Sequence, residues 1–188
     1  MRARTPTRMS GVAMLEVLVA MLILMLGLLG VVGLIVRAES AEMESYQRVQ
    51  ALILVRDMTG RINSNRGVVA CYSNGANGTQ LGTGYAGTPS CILGTPAQNA
   101  QAVADMNDWN AALLGSAETQ GASKVGAMIG ARGCITQIDA ANNIYMVTVV
   151  WQGLNPTVAP TVACGKNQYG SDDLRRAVNV TLRIGTLT

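Results

Sequence analysis

The chain has 188 residues, a formal net charge of +3 and no histidine. Arg2, Arg4 and Arg8 carry the whole excess: without them eleven Lys and Arg balance eleven Asp and Glu, which removes the nucleic-acid reading that a positive charge invites. Lack of histidine excludes the usual Ser/His/Asp and Cys/His constellations, and no phosphate-binding glycine motif stands between a strand and a helix.

Residues 1–10 read as a basic leader containing Pro6. A long helix begins near Val12. Within it, Val17 to Val36 is a run of twenty residues with no charged or strongly polar side chain. At a helical rise of about 1.5 Å per residue, that run spans roughly the 30 Å of a bilayer's hydrocarbon core. Glu16 stands directly before it. A carboxylate at mid-membrane depth costs on the order of 2.5–3.5 kcal/mol on insertion scales, so Glu16 is a candidate functional residue. The basic leader stays cytoplasmic, and Glu39, Glu42 and Glu44 follow the run on the far side. The N-terminus is therefore expected inside and the bulk of the chain outside. The apolar run is too long for a removed signal peptide and no A-x-A site follows it, so it is expected to stay attached. Gly27, Gly30 and Gly33 recur every third residue, which suits close packing between membrane helices, or a stretch able to unwind locally.

The helical pattern continues beyond the apolar run. Ala38, Ala41, Val49, Leu52, Val55, Met58 and Ile62 recur near helical spacing, with Glu39, Glu42, Arg48, Asp57 and Arg61 elsewhere on the cylinder. The stop signal is Asn63-Ser64-Asn65-Arg66-Gly67, so the helix is expected to end near Asn65. An amphipathic half of this kind must bury one face against its own domain. The expected divisions are 1–11 leader, 12–36 spanning segment, 37–66 amphipathic half and 67–188 exported globular domain.

Residues 67–100 hold most of the turn chemistry, among it Asn74-Gly75, Asn77-Gly78, Gly82, Gly84, Gly87, Pro89 and Pro96. They read as a long irregular loop, with room for short strands, and a loop of that length needs a tether or a function. A helix is expected over Ala100–Ser116, with Val103, Met106, Ala111 and Leu114 near one face and Trp109 and Leu113 extending it. Antiparallel sheet is expected after it: Cys134–Asp139, a turn at Ala140–Asn143, Ile144–Trp151, a Gly- and Pro-containing loop through Cys164 to Gly170, and Arg176–Ile184. Val178, Val180, Leu182 and Ile184 share one face of the last strand. Three or four strands are expected to pack on the amphipathic half of the helix.

All four cysteines, Cys71, Cys91, Cys134 and Cys164, lie in the part expected outside, and their number is even. Two disulfides in an oxidising compartment fit this, and spacings of 20, 43 and 30 without histidine do not suit zinc. Four cysteines allow three connectivities; Cys71–Cys91 and Cys134–Cys164, each closing its own loop, is the expected one. Asp172-Asp173 is a candidate for helping to hold a calcium ion, or simply a solvated turn. Trp109, Trp151, Tyr145 and Tyr169 read as core and loop anchors rather than a ligand platform. No catalytic residue, resident metal or cofactor is expected.

The stretch Gly11-Val12-Ala13-Met14-Leu15-Glu16-Val17-Leu18-Val19-Ala20 resembles the class III leader and cleavage motif of type IV pilins. The resemblance implies cleavage by a prepilin peptidase between Gly11 and Val12, methylation of the new amine on Val12, and Glu16 as the fifth residue of the mature chain. Val12 stands where Phe or Met is usual, and Ala13-Met14 where Thr-Leu is usual. The anchor, with Gly27-Leu28-Leu29-Gly30 and then Arg56-Asp57-Met58-Thr59-Gly60-Arg61-Ile62, is similar to the pilus modification protein (PilV) family of minor pilins. Trp109, Val149-Val150-Trp151 and Arg175-Arg176-Ala177-Val178 also look like that family. The match is specific over about residues 8–66 and looser beyond. It implies an α+β type IV pilin fold and a non-enzymatic minor pilin that primes assembly at the pilus tip and supports adhesion and motility. The implied partners are prepilin peptidase, other minor and major pilins through the N-terminal helix, a tip adhesin, and the bacterial inner membrane before assembly. Two other readings stand beside it: an I-type pseudopilin of a type II secretion system, and a bitopic membrane protein with a periplasmic binding role.

Overall fold

Helix α1 runs from Val12 to Ser64. Leu, Met and Ala, the strong helix formers, dominate its first half and outweigh the cost of three glycines. Arg61 lies in its last turn, where a cation meets the negative end of the helix dipole. The computed structural model describes residues 12–116, 119–120, 123–124 and 128–185. Leader residues 1–11, Gly11 included, lie outside the described residues. The chain divides into two compact units, Met1–Met43 and Glu44–Thr188. The first contributes the apolar part of α1. Among the described residues α1 is the one helix long and apolar enough to cross a membrane.

The second unit begins with the remainder of α1 and is α+β. A single 3-10 turn (Arg66–Val68) leads into a one-turn helix α2 (Val69–Tyr72), another 3-10 turn (Gly75–Asn77) and strand β1 (Thr79–Gly82). Helix α3 spans Pro96–Leu113. Two short strands, β2 (Thr119–Gln120) and β3 (Ser123–Lys124), form a separate ribbon. The long strands are β4 (Arg132–Asp139), β5 (Ile144–Gln152) and β6 (Arg175–Arg183). The main sheet is antiparallel in the order β1-β4-β5-β6.

Three expectations shift. The irregular stretch 67–100 contributes β1, whose four residues pair with β4 from Thr79 opposite Ile135 to Gly82 opposite Arg132. So short a strand between glycines has no period of its own; its neighbour defines it. The helix expected from Ala100 begins at Pro96, because Thr95 and Gln98 form a capping box: Thr95 Oγ1 accepts from Gln98 N and Gln98 Oε1 from Thr95 N. It stops at a left-handed Gly115, with Gly115 N bonded to Ala112 O and Ser116 N to Ala111 O. Its buried face is Ala102, Asp105, Met106, Trp109 and Leu113, while Val103, Ala111 and Leu114 are half-buried.

The buried face of α1 is also rotated from the expected one at its upper end. Val55, Met58 and Ile62 are fully buried as the pattern required, joined by Ala51 and Gln47. Val49 is 51% exposed, and Ala38 and Ala41 are exposed too. Positions 47, 51, 55, 58 and 62 follow helical spacing, but the polar side chain at 47 hides the stripe from a reading by hydrophobicity.

One face of the sheet carries the core. Ile135, Tyr145, Val147, Val149, Trp151, Val178 and Leu182 lie in one cluster with α1 and the buried face of α3. Gly133 makes this closeness possible. A Cβ there would come within 2.3 Å of the Trp109 ring and 2.8 Å of Leu113. Trp109 is therefore seated directly on the backbone of β4, fully buried, with its indole N–H given to Leu54 O at 2.9 Å.

Candidate functional site

The apolar part of α1 is the first candidate. Every described side chain from Met14 to Val36 is exposed, Leu15 at 68% and Leu29 at 69%. Glu16 is the one carboxylate in this stretch, exposed, with no hydrogen bond among the described residues. Val12 opens the helix two residues before the described side chains begin. A Cβ added at Gly27, Gly30 or Gly33 would meet nothing within 4 Å. Among the described residues, therefore, neither the glycines nor Glu16 has a packing partner. A helix this apolar and this exposed has to be covered by lipid or by other apolar helices.

The lower part of α1 is seated in its own unit by polar contacts as well as by the core. Glu44 Oε1 accepts from Leu154 N at 3.2 Å and Asn155 N at 3.3 Å, and pairs with Arg176 at 3.2 Å. Gln47 Oε1 accepts the buried indole N–H of Trp151 at 3.1 Å. Arg61 is shared by three carboxylates: Asp57 at 3.0 Å, Asp105 at 3.1 Å and Asp108 at 3.3 Å. Behind it Asp105, 3% exposed, also accepts from Tyr72 Oη at 2.6 Å and Gln101 Nε2 at 2.8 Å. Burial, and then the bond to Asp105, push the Tyr72 hydroxyl well above its ordinary pKa. Such a phenol is a fixed donor that holds a buried carboxylate, not a base. Asp57, Arg61, Gln101 and Asp105 border an open groove of 620 Å³ between α1 and α3, lined also by Arg56, Gly60, Ser64 and Gln98.

Two disulfides tie the irregular segments down, Cys71 to Cys91 and Cys134 to Cys164. The second loop has a further lock. Arg175 is 1% exposed and uses all five of its N–H groups. Two go to Asp172, both at 2.8 Å; the others go to Pro160 O at 2.8 Å, Val162 O at 2.7 Å and Cys164 O at 2.9 Å. Asp172 is thereby held below the ordinary carboxylate range, first by the hydrogen bonds from Arg175. Both its oxygens face a guanidinium, so Asp172 is built as the anchor of a loop, and no group of three metal-ligating side chains occurs among the described residues. Tyr169 lies over Arg132 at 4.7 Å and gives its hydroxyl proton to Gly130 O at 2.9 Å. Gly82, in a glycine pair the sequence singled out, gives its N–H to Asn110 Oδ1 at 2.7 Å.

No family model, no curated protein and no solved structure matches the chain. What it does is therefore argued from its own residues. Sequence reasoning anticipated the apolar helix and the two disulfides, and it singled out Glu16, which the structure shows exposed on that helix. It missed Glu44, Gln47, Asp105, Tyr72 and Arg175, whose partners stand 3 to 132 positions away. Of these pairs only Asp172–Arg175 and Gln101–Asp105 are near enough in the chain to have been paired by spacing.

Proposed function

We propose that the chain is a minor pilin of the type IV pilus modification protein family, with the type IV pilin fold. It is cut after Gly11 by a prepilin peptidase and methylated on Val12. It waits in the bacterial inner membrane, N-terminus inside, and then enters the fibre with other minor and major pilins and a tip adhesin. The observation that carries this reading is α1 itself: one helix whose first part is bare apolar surface with one carboxylate, Glu16, and whose second part is built into an antiparallel sheet domain. An ordinary membrane anchor has no use for that carboxylate. The disulfide-tied domain favours a pilus over a type II secretion pseudopilin, where the start Glu16-Val17-Leu18-Val19-Ala20 also occurs.

In this reading Glu16 sets axial register. The mature amine on Val12 and the Glu16 carboxylate are each costly alone in apolar surroundings, and pairing between subunits offsets that cost. The rest of the anchor is apolar and interchangeable. Glu16→Ala should be inserted and cleaved normally yet reach sheared pili poorly, with Glu16→Asp intermediate. A Glu16→Ala protein recovered in pili at the wild-type level would overturn the assignment of register to this residue.

A further inference from the structure

The main sheet ends on two unlike edges. β1 is four residues long, and Asn110 Oδ1 takes the outward N–H of Gly82 at 2.7 Å. β6 is nine residues long and pairs with β5 from Ile144 opposite Arg183 to Gln152 opposite Arg175. Just beyond the two ends of that ladder, Ile184 N donates to Asn143 O at 3.0 Å and Gly153 N to Leu174 O at 2.8 Å. Both bonds join directly opposite residues. The even-numbered residues of β6 therefore turn their N–H and C=O groups toward β5, and the odd-numbered ones turn theirs away. At the start of the strand the outward groups are met: Arg175 N–H by Asp172 O, and Asp173 O by Thr157 N. Further along, the outward N–H and C=O groups of Ala177, Asn179, Thr181 and Arg183 have no partner among the described residues.

We propose that the outer edge of β6, Ala177 to Arg183, receives an extended acidic segment of a different protein as a fifth strand. Backbone pairing supplies the attachment, and the side chains on either face set what fits. On the core side stand Val178, Val180 and Leu182; on the other stand Asn179, Thr181 and Arg183, all exposed. The incoming strand thus alternates apolar and polar residues. Charge decides its source. Of the arginines of β6, Arg175 is spent on Asp172 and Arg176 on Glu44, which leaves Arg183 exposed, and the strand holds no carboxylate. Beside its start, Arg48 shares a surface cavity of 360 Å³ with Glu44, Trp151, Arg176 and Ala177, and Arg48 has no hydrogen bond among the described residues. A second copy's β6 carries no acid to meet Arg48 or Arg183. The strand that fits carries carboxylates toward Arg48 and toward Arg183, which a second copy's β6 does not supply and an acidic partner does.

The inference does not rest on the pilus reading. It is tested on the full chain in detergent with two synthetic peptides, alternating valine and threonine, one ended by glutamates and one by lysines. Amide exchange at Ala177, Asn179, Thr181 and Arg183 should be fast in the free protein and slow once the glutamate peptide is added. The lysine peptide should bind about tenfold more weakly, since cross-strand charge pairs are lost and reversed at both ends. Thr181→Pro deletes an outward N–H and no bond to β5, so it should lose the peptide while keeping the unfolding temperature and both disulfides; Thr181→Val should keep the peptide. Outward amides protected without peptide, equal binding of the two peptides, or unchanged binding by Thr181→Pro would each overturn the proposal.

Discussion

Two residues illustrate how a single side chain governs a segment. Arg175 holds three carbonyls of the loop between β5 and β6, and Asp172 holds Arg175. Asp172 has a lowered pKa in the fold, so its contribution is present above the unfolded carboxylate value and is lost as pH falls through the lower folded value. Amide exchange in residues 157–167 should accelerate below about pH 4, and Asp172→Asn should give fast exchange already at neutral pH. Gly133 is the second. Its missing side chain is the space that Trp109 and Leu113 fill, and both are buried groups unable to move aside. Gly133→Ala should destabilise the domain by about 1–3 kcal/mol in denaturant unfolding, by overpacking. The same change at Gly60, where a Cβ meets nothing, should be neutral or slightly stabilising.

At the scale of elements, the stretches without regular structure are secured by covalent and ionic ties rather than by hydrophobic burial. Ile92 is 87% exposed and Val158 93% exposed, so neither loop is held by the side chains at its tip. Cys71–Cys91 closes a separation of 20 residues and Cys134–Cys164 one of 30. By the chain-entropy model each loop closure contributes on the order of 3–4 kcal/mol, a magnitude that depends on the model. Replacing Cys71 and Cys91 together by serine should lower the unfolding free energy by that amount. Replacing Cys134 and Cys164 should cost less in local order, because Arg175 still grips the same loop. Non-reducing peptide mapping that joined Cys71 to Cys164 would contradict both expectations.

For the whole molecule, the described α1 side chains in the core of the second unit all lie after Glu44. The first α1 side chains to enter it are Gln47 and Ala51, and Glu44 is the first with a bond to the sheet. A chain beginning at Glu44 should therefore fold, with cooperative unfolding and both disulfides, while one beginning at Met58 should not, since it loses Gln47, Ala51 and Val55 from beneath Trp151 and Trp109. Removal of the apolar segment should abolish membrane attachment without changing the unfolding free energy of the second unit by more than about 1 kcal/mol. In cells, intact mass of the membrane-extracted protein should correspond to a start at Val12, and a bulky residue in place of Gly11 should leave the leader attached.

Local chemistry was enough for much of this protein. Twenty uncharged residues make an apolar helix in any context, because the property is additive along the chain. Alternation placed β4 and β6, and the β-branched and aromatic run placed β5, each within two residues of its ends. The stop signal at Asn63-Ser64-Asn65 ended α1 within one residue of Ser64. Tertiary structure alone decided the rest. β1 exists because β4 offers it an edge, and Gln47 is buried because Trp151 has an N–H to satisfy. Asp105 is buried because Tyr72, Gln101 and Arg61 converge on it. Each of these depends on a partner that one-dimensional periodicity does not contain, and a polar residue at a buried position reads as a solvent-facing one until its partner is in place.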